Sequence, residues 1–245
     1  MNIGIVIQAR LSSTRLPGKI LLDFYDGKSI LEILYQRLIS NINCQVIIAT
    51  TNNENDAKLV DFCKEKKMDY YRGSEQNVLS RFINAAEHFK LTHIIRICSD
   101  NPFLYADYIK RLSEALMQYP YTDYISYKIA GKPSILTHYG FFAELVSLEA
   151  LYIANESEEK NHHEHVTSYI YTHEDRFNIK WLGVNKIIEN NDIRLTVDDG
   201  IDFMLAKNIY KKTGETFDPE TIIKIINADF GIKQLMMQQI TKNAK

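Results

Sequence analysis

Compact apolar runs separated by amphipathic stretches fill the first half of the chain. The run at residues 3–8 is rich in β-branched side chains, which is typical of a strand buried on both faces. Runs of the same kind predict further strands over residues 45–51, 68–72 and 93–98. Apolar residues at helical spacing predict helices over residues 28–41, 55–67, 75–90 and 106–118.

Beyond residue 118 the pattern is less regular before it turns helical again. Residues 124–181 mix aromatic and β-favouring segments with helical ones. The elements predicted in this half are helices near 147–155 and 164–173, a strand over 193–197, and helices over 200–213 and 219–227. The alternation of strands and helices predicts an α/β fold with a mostly parallel sheet flanked by helices. We interpret residues 1–245 as a single domain in which 124–181 form an insertion.

Composition and charge narrow the class of protein. The chain is 45% apolar and 24% charged, which is ordinary for a soluble globular protein. A net charge of −2 argues against a nucleic-acid partner, because such proteins usually carry a basic surplus. No signal-peptide pattern or membrane-spanning run is visible, so no membrane partner is expected. The three cysteines form no C-x-x-C pair, and they fit a reducing cytoplasm better than a zinc site.

The segment after the first predicted strand, residues 9–19, concentrates positive charge, and we call it the basic loop. Its cations are Arg10, Arg15 and Lys19, with three hydroxyl residues at positions 12–14. Guanidinium, ammonium and backbone N–H groups are the usual partners of phosphate oxygens. Composition alone favours phosphate binding and a solvated loop equally. The position at the carboxyl end of a buried strand favours phosphate, and Lys19 is then expected to be exposed.

Two aspartates follow other predicted strands. Asp100 comes after the strand at 93–98, and Asp198 follows the strand at 193–197. Each alone is as consistent with a turn or a helix cap as with a metal ligand. Because strand ends of one sheet converge, the two carboxylates and the basic loop together can hold a Mg²⁺–triphosphate. The neighbouring Asp199 is either a further ligand or the cap of the next helix, and we favour the cap.

Several of these residues belong to longer motifs that resemble a known family. The run I-x-A-R-x-x-S-T-R-L-P-G-K at residues 7–19, with G-K-S-I-L-E at 27–32, resembles the start of bacterial cytidylyltransferases. The family includes CMP-Kdo synthetase and, as the better match, the spore-coat polysaccharide type. The further matching blocks are A-T-T at 49–51, R-G-S-E and V-L-S-R within 72–81, R-I-C-S-D-N-P at 96–102, E-H-V-T at 164–167 and R-L-T-V-D at 194–198.

The resemblance implies a fold and a reaction. The fold would be a Rossmann-like nucleotidyltransferase sheet with a small inserted lobe. The reaction would transfer a cytidine nucleotide from CTP to a small anionic acceptor, with release of pyrophosphate. The acceptor would be a sugar acid, a sugar phosphate or a related compound for surface polysaccharide or glycan assembly. The resemblance also implies Mg²⁺ and a homodimer, with the insertion at 124–181 serving the acceptor and the dimer interface.

The family's functional positions carry over residue by residue. The resemblance implies that the nucleotide is bound by Gln8, Ala9, Arg10, Ser13, Arg15, Lys19, Arg72, Gly73 and Ser74. The catalytic positions among them are Arg10, Arg15 and Lys19, which would stabilise charge on the phosphates. The implied metal ligands are Asp100 and Asp198.

The acceptor side departs from the family pattern. Where the spore-coat type often has G-x-D-x-E before a helix, this chain reads G-F-F-A-E at 140–144. Phe142 thus replaces an acid, which removes a hydroxyl acceptor and suits a less polar group. The candidate acceptor-binding residues are His138, Phe142, Glu144 and His165. A metal site on the histidines of 162–165 is not expected, because His163 and His165 would point apart on a helix.

Three rival functions compete with this one. A nucleotidyltransferase that uses another NTP would carry the same motifs, so only a comparison of nucleotides separates it from a CTP enzyme. A glycosyltransferase of related fold usually needs a D-x-D motif in mid-chain, which the expected loop here lacks. A non-catalytic remnant is the least favoured, because the basic loop and both aspartates are intact.

Overall fold

The computed structural model describes residues 1–189 and 192–243, and its strands form one large sheet and a separate hairpin. The strands are β1 (Ile3–Gln8), β2 (Asp23–Tyr25), β3 (Lys28–Ser29), β4 (Gln45–Thr51), β5 (Asp69–Gly73), β6 (His93–Cys98), β7 (Tyr124–Ile129), β8 (Lys132–Pro133), β9 (Glu144–Ser147) and β10 (Ile179–Leu182). The large sheet has the order β10-β7-β9-β6-β1-β4-β5, with β8 paired to β7, and β2 pairs only with β3. The predicted mostly parallel α/β sheet is confirmed.

Alternation along the central strand explains the two-sided core. β1 pairs in parallel with β4 on one side and with β6 on the other. Ile5 and Ile7 are fully buried in one apolar cluster, whereas Val6 is fully buried in the cluster on the opposite face. Because side chains alternate along a strand, a continuous β-branched run covers both faces of the sheet. The strand is therefore fixed in register, and its carboxyl end delivers the basic loop to a defined place.

Helices cover both faces of the sheet. They are α1 (Ile30–Asn41), α2 (Ala57–Glu65), α3 (Val78–His88), α4 (Ala106–Gln118), α5 (Leu148–Asn155), α6 (Lys160–Glu164), α7 (Ser168–Thr172), α8 (Lys186–Glu189), α9 (Gly200–Thr213), α10 (Pro219–Ala228) and α11 (Phe230–Lys242). Several start at a polar cap; Ser29, for example, accepts the N–H of Glu32 at 3.2 Å. Across the described ranges, no helix is both long and apolar enough to span a bilayer.

The segment 124–181 extends the same sheet. β7 and β10 pair in parallel with each other, whereas β9 runs antiparallel between β7 and β6. Helices α5, α6 and α7 follow β9 and pack against α3 or against one another. The segment thus places its side chains beside the carboxyl end of β6, which is where Asp100 follows.

Two predicted elements are wrong in detail. Residues 193–197 are not a strand: Leu195 donates its N–H to His138 O at 2.8 Å, whereas Val197 donates to Asp100 O at 2.9 Å. Apolar residues at every second position, Ile193, Leu195 and Val197, imitate a strand, but the hydrogen bonds of this segment go to two separate loops. Of the helix predicted near 164–173, only α7 (Ser168–Thr172) is present, and α6 (Lys160–Glu164) ends where the predicted helix begins.

Candidate active site

The basic loop leaves the carboxyl end of β1 and closes on itself. Leu11 donates its N–H to Asp56 Oδ1 at 2.7 Å, and the other oxygen of Asp56 accepts the N–H of Thr51 at 3.3 Å. Gly18 donates its N–H to Leu11 O at 3.0 Å. Gly18 has φ of 68°, a left-handed conformation that glycine adopts without the steric cost of a Cβ. Both ends of the loop are therefore tied to the fold, and its cations face the strand ends.

Lys19 is buried rather than exposed, which corrects the expectation from sequence. A short 3₁₀ turn over Lys19–Leu21 carries it, and the residue is only 9% exposed. Its Nζ lies 3.3 Å from Asp100 Oδ2 and 3.8 Å from Asp198 Oδ1, and it also donates to Val197 O. The ammonium group therefore joins the two carboxylates that were predicted to converge.

Asp198 is surrounded by cations on both of its oxygens. Arg194 donates to Asp198 Oδ2 at 2.7 Å and, through Nε and Nη2, to both oxygens of Asp202 at 2.8 Å. Arg15 Nη2 lies 3.0 Å from Asp198 Oδ1. Burial opposes the ionisation of Asp198, but the charges of Lys19, Arg15 and Arg194 outweigh it and lower its pKa. The carboxylate is thus held in the ionised form that a cation requires.

Asp199 is the cap of α9. Its Oδ1 accepts the N–H groups of Ile201 and Asp202, each at 3.0 Å, and the Asp202 side chain in turn accepts the N–H of Asp199 at 3.3 Å. This reciprocal arrangement is a capping box. Asp199 Oδ2 is 3.1 Å from Lys242 Nζ. The side chain is therefore used by the helix start, as favoured from sequence.

Two clefts meet at Asp100 and Asp198. The first cleft, beneath the basic loop, is lined by Gln8, Arg10, Ser12, Ser13, Thr14, Arg15, Lys19, Ile20, Cys98, Ser99, Asp100 and Asp198. The second cleft is lined by Arg96, Cys98, Asp100, Asn101, Ser134, Ile135, Thr137, Gly140, Phe142, Ala143, Glu144, Thr196 and Asp198. Three residues, Cys98, Asp100 and Asp198, line both clefts. Ligands in the two clefts would therefore touch across the carboxylates.

A buried ion pair forms one wall of the second cleft. Arg96 Nη1 is 2.7 Å from Glu144 Oε2, and both side chains are almost fully buried. Thr167 donates to Glu144 at 3.0 Å, and Tyr124 donates to it as well. Arg96 also donates through Nη2 to Gln8 Oε1 at 3.3 Å, which links the walls of the two clefts. Because removing either partner would leave a buried charge, this wall is rigid.

Phe142 forms an aromatic surface in the second cleft. Its ring stacks on Tyr108 with centroids 4.8 Å apart and an interplanar angle of 21°, and it contacts Tyr127 at 4.9 Å. Only 8% of Phe142 is exposed. The position that departs from the family pattern therefore presents a fixed apolar edge to whatever occupies this cleft.

Other predicted site residues lie outside both clefts. Ala9 is buried, Ser74 accepts the N–H of Asn77 at 3.0 Å, and Gly73 is buried at the end of β5. The guanidinium of Arg72 donates to the backbone oxygens of residues 51 and 53 at 3.0 and 3.1 Å. These four residues therefore line neither cleft in this structure.

The two predicted histidines have different places. His138 Nδ1 accepts from Arg194 Nη1 at 2.7 Å, so it contacts the ion network behind Asp198. It lines neither of these two clefts but a separate one beside Tyr139 and Ile193. His165 is exposed at the end of α6, two residues before Thr167. The structure therefore brings Phe142 and Glu144 together in the second cleft but sets both histidines apart from it.

Sequence reasoning gave no role to Arg194 and Asp202. Their signal was present as the four-residue spacing of R-x-x-x-D-x-x-x-D at 194–202. Arg194 is 3% exposed and Asp202 4% exposed. A charged residue flanked by apolar ones in a predicted buried segment needs an ionic partner, and this requirement could have identified the pair.

The donor set fits a hard divalent cation completed by phosphate oxygens. Among the described residues, no group of three or more histidine, cysteine, aspartate or glutamate side chains could hold a metal by itself. Asp100 and Asp198 instead offer two carboxylates beside a cationic loop. Mg²⁺ commonly binds through one or two carboxylates together with substrate phosphates and water. The site can therefore hold such an ion when a phosphorylated ligand supplies the remaining oxygens.

Known proteins resemble this chain over most of its length. A family model described as cytidylyltransferase matches residues 4–224. The uncharacterised protein MJ1063 of Methanocaldococcus jannaschii is 36% identical over 213 residues, covering 86% of this chain and 84% of that protein. The spore coat polysaccharide biosynthesis protein SpsF of Bacillus subtilis is 31% identical over 226 residues, covering 89% and 90%. A solved cytidylyltransferase from Leptospira borgpetersenii has TM-score 0.85 at 24% identity, covering 95% and 96%.

Proposed function

The chain belongs to the cytidylyltransferase family, and we propose that it transfers a cytidine nucleotide from CTP to a small anionic acceptor, releasing pyrophosphate. One observation carries the proposal: the cationic first cleft and the second cleft share Asp100 and Asp198. A triphosphate in the first cleft would present its α-phosphorus at this junction to an acceptor in the second. Bringing two substrates together in this way removes much of the entropic barrier.

The basic loop provides the nucleotide side of the proposal. Arg10, Arg15 and Lys19 would contact the phosphates, with Gln8 and Ser13 lining the same cleft. An acceptor oxygen attacks the α-phosphorus, the bond between the α-phosphorus and its bridging oxygen breaks, and pyrophosphate leaves with the electron pair. The cations stabilise the charge that gathers on the departing phosphates. The base and ribose of the nucleotide would lie on the side shaped by the remaining family positions, Ala9, Arg72, Gly73 and Ser74.

Asp100 and Asp198 are the proposed ligands of Mg²⁺. The lowered pKa of Asp198 supports this role, because the carboxylate stays ionised at neutral pH. Mg²⁺, when bound, would neutralise phosphate charge and orient the α-phosphoryl group. Lys19 already contacts both carboxylates, so it would remain within reach of the same phosphates.

The second cleft is the proposed acceptor site. Phe142 and Glu144 line it directly, and Glu144 is held by Arg96. His138 would support this site indirectly, by holding Arg194 in place. His165 would contribute from the edge of the site, near Thr167. The proposed acceptor is a sugar acid, a sugar phosphate or a related compound for surface polysaccharide or glycan synthesis, supported by the likeness to SpsF.

The proposal includes a homodimer that works in the cytoplasm. Leu136, Tyr152 and Ile153 in the segment 124–181 are each 40–42% exposed, which supports this segment as the interface. The three cysteines form no disulfide, which supports a reducing compartment.

The deciding experiment measures pyrophosphate release with Mg²⁺ from CTP, ATP, GTP and UTP against sugar acids and sugar phosphates. We expect release with CTP and one acceptor class only, because a single pair of substrates should fit the two clefts. Release with another nucleotide would keep the chemistry but refute the base assignment. No release with any nucleotide would contradict the proposed transfer.

Asp198→Asn tests the metal assignment separately. Removing the charge should abolish turnover and weaken binding of Mn²⁺, used as a probe, by at least about tenfold. The variant should stay folded but melt at a lower temperature, because the buried cations Lys19 and Arg194 lose part of their counter-charge. Asp199→Asn is the matched control, because it changes the adjacent carboxylate but can still cap α9. A fully active Asp198→Asn variant would refute the assignment.

A further inference from the structure

The C-terminal helix reaches the first cleft from outside the family region. The family match ends at residue 224, whereas α11 spans Phe230–Lys242 and Asn243 follows it. Arg15 Nη1 donates to Asn243 Oδ1 at 3.0 Å, while Nη2 of the same guanidinium lies 3.0 Å from Asp198 Oδ1. One arginine of the basic loop is thus held from two sides.

The helix is anchored firmly enough to place its last residues. Asp229 caps its start by accepting the N–H of Ile232 at 3.1 Å. Ile232, Met236 and Gln239 are buried along one face. At the far end, Lys242 Nζ lies 3.1 Å from Asp199 Oδ2, next to the proposed metal ligand. The end of α11 is therefore fixed against the loop that carries Asp198.

Local hydrogen bonds set the orientation of the Asn243 amide. Its Nδ2 donates to Gln239 O at 3.0 Å and to Gln239 Oε1 at 3.1 Å. Both contacts need the nitrogen, so Oδ1 is left to accept from Arg15. The side chain therefore offers Arg15 an acceptor, not a competing donor.

A second route connects Asn243 to Asp198. Arginine can only donate, so His138 Nδ1 accepts from Arg194 and the imidazole proton resides on Nε2. His138 Nε2 then donates to Asn243 O at 3.1 Å. Arg194 contacts Asp198 at 2.7 Å. The Asn243 side chain and backbone thus reach Asp198 through Arg15 and through His138–Arg194.

From this geometry we infer that Asn243 is a positioning residue, and that α11 is a strap that holds Arg15 in place to receive a nucleotide triphosphate. The inference rests on the proposed function. The Arg15 side chain is 51% exposed and has many rotamers, so an exposed ion pair to Asp198 alone would fix it weakly. A neutral acceptor from α11 restricts the guanidinium without cancelling the charge that phosphates need.

The test is a double-mutant cycle on CTP affinity, measured by calorimetry with Mg²⁺ and the full chain. Asn243→Ala should weaken CTP binding about three- to tenfold, the range expected for the net loss of one typical hydrogen bond. The same change in an Arg15→Ala background should have no further effect. Asn243→Asp keeps an acceptor for Arg15 but adds a negative charge beside the triphosphate and loses the donor to Gln239, so it should bind CTP more weakly than wild type. Gln234→Ala, an exposed change on α11, is the matched control.

The outcomes separate this inference from the proposed function. Wild-type affinity in Asn243→Ala, or an equal loss with and without Arg15, would overturn the inference alone. An equal loss in Gln234→Ala would also overturn it, because the effect would then be one of helix stability. If the wild-type chain binds another nucleotide, the cycle is run with that nucleotide and only the base assignment fails. If it binds none, both the proposed function and the inference fall.

Discussion

At the scale of single residues, the cations around the two carboxylates differ in how firmly they are fixed. Lys19 is buried between Asp100 and Asp198, whereas the side chain of Arg15 is half exposed. Arg194 is buried and shared between Asp198 and Asp202. A buried cation between carboxylates stabilises the fold as well as any ligand, because removing it leaves like charges close together. An exposed cation mainly serves the ligand.

Lys19→Ala and Arg15→Ala should therefore differ in stability. We expect Lys19→Ala to lower the free energy of unfolding by about 1–3 kcal/mol, because Asp100 and Asp198 lose their common partner. Arg15→Ala should cost less than about 1 kcal/mol, as for an exposed ion pair. Both should weaken CTP binding. Urea unfolding measures the first quantity, and equal stability of the two variants would contradict the burial argument.

At the scale of elements, α9 connects the fold to the site through its first turn. The capping box of Asp199 and Asp202 fixes the start of the helix, and Asp202 also accepts from Arg194. The orientation of Asp198, which immediately precedes the cap, therefore depends on helix capping. The start of α9 therefore serves both the stability of the helix and the position of the Asp198 carboxylate.

Asp199→Ala should separate these two effects. Loss of the cap should lower the free energy of unfolding by about 1 kcal/mol, whereas Asp199→Asn should retain most of it, because asparagine caps equally well. If Asp199 is only a cap, Mn²⁺ binding should stay close to wild type in both variants. A similar loss of Mn²⁺ affinity in both would make Asp199 a ligand. Thermal unfolding and Mn²⁺ titration provide the two readouts.

The sequence predicted best the strands that are buried on both faces of the sheet. The strands at 3–8, 45–51 and 93–98 have the predicted bounds, because continuous β-branched runs occur where both faces of a sheet are covered. The segment 193–197 has the burial pattern of a strand without a partner strand, and local periodicity cannot tell the two apart. No element was predicted where α11 lies. The contact of its end with Arg15 could not be read from local pattern, because it joins residues 228 positions apart.

For the site, the sequence predicted correctly which charged side chains meet, but not how deeply each is buried. The basic loop and the two aspartates do converge, but only Asp100 follows a strand, and Asp198 is brought in by a segment that pairs with no strand. The exposure of Lys19 was wrong, because composition does not reveal that a 3₁₀ turn directs the side chain inward. The placement of His138 behind Arg194 also depends on long-range contacts that no local motif encodes.

At the scale of the whole molecule, different parts of the sheet supply the sites for the two proposed substrates. The basic loop follows β1, in the middle of the sheet, whereas the second cleft draws Ser134, Phe142 and Glu144 from the segment that adds β7 and β9. The outer surface of this segment includes the exposed Tyr152 and Ile153 on α5. One side of the segment thus faces the cleft while another is available for assembly.

Ile153→Glu tests the proposed dimer. A charge at a buried apolar interface should shift the protein to monomers at low micromolar concentration, because burying an unpaired carboxylate is costly. Ile39→Glu is the matched control, because Ile39 is 53% exposed on α1, outside the segment. Light scattering coupled to gel filtration gives the mass. A monomeric wild-type chain would reject the dimer, and a dimeric Ile153→Glu variant would place the interface elsewhere.

The sharing of Asp100 and Asp198 by two clefts built from separate stretches of chain has an evolutionary consequence. Substitutions between residues 134 and 144 can change one pocket without altering the loop at 9–19. Descendants of a common ancestor can therefore acquire new partners for the second pocket while inheriting the first unchanged. Phe142 would be a trace of such a divergence. Replacing it by an acid would show which partners of the second pocket were lost in this lineage.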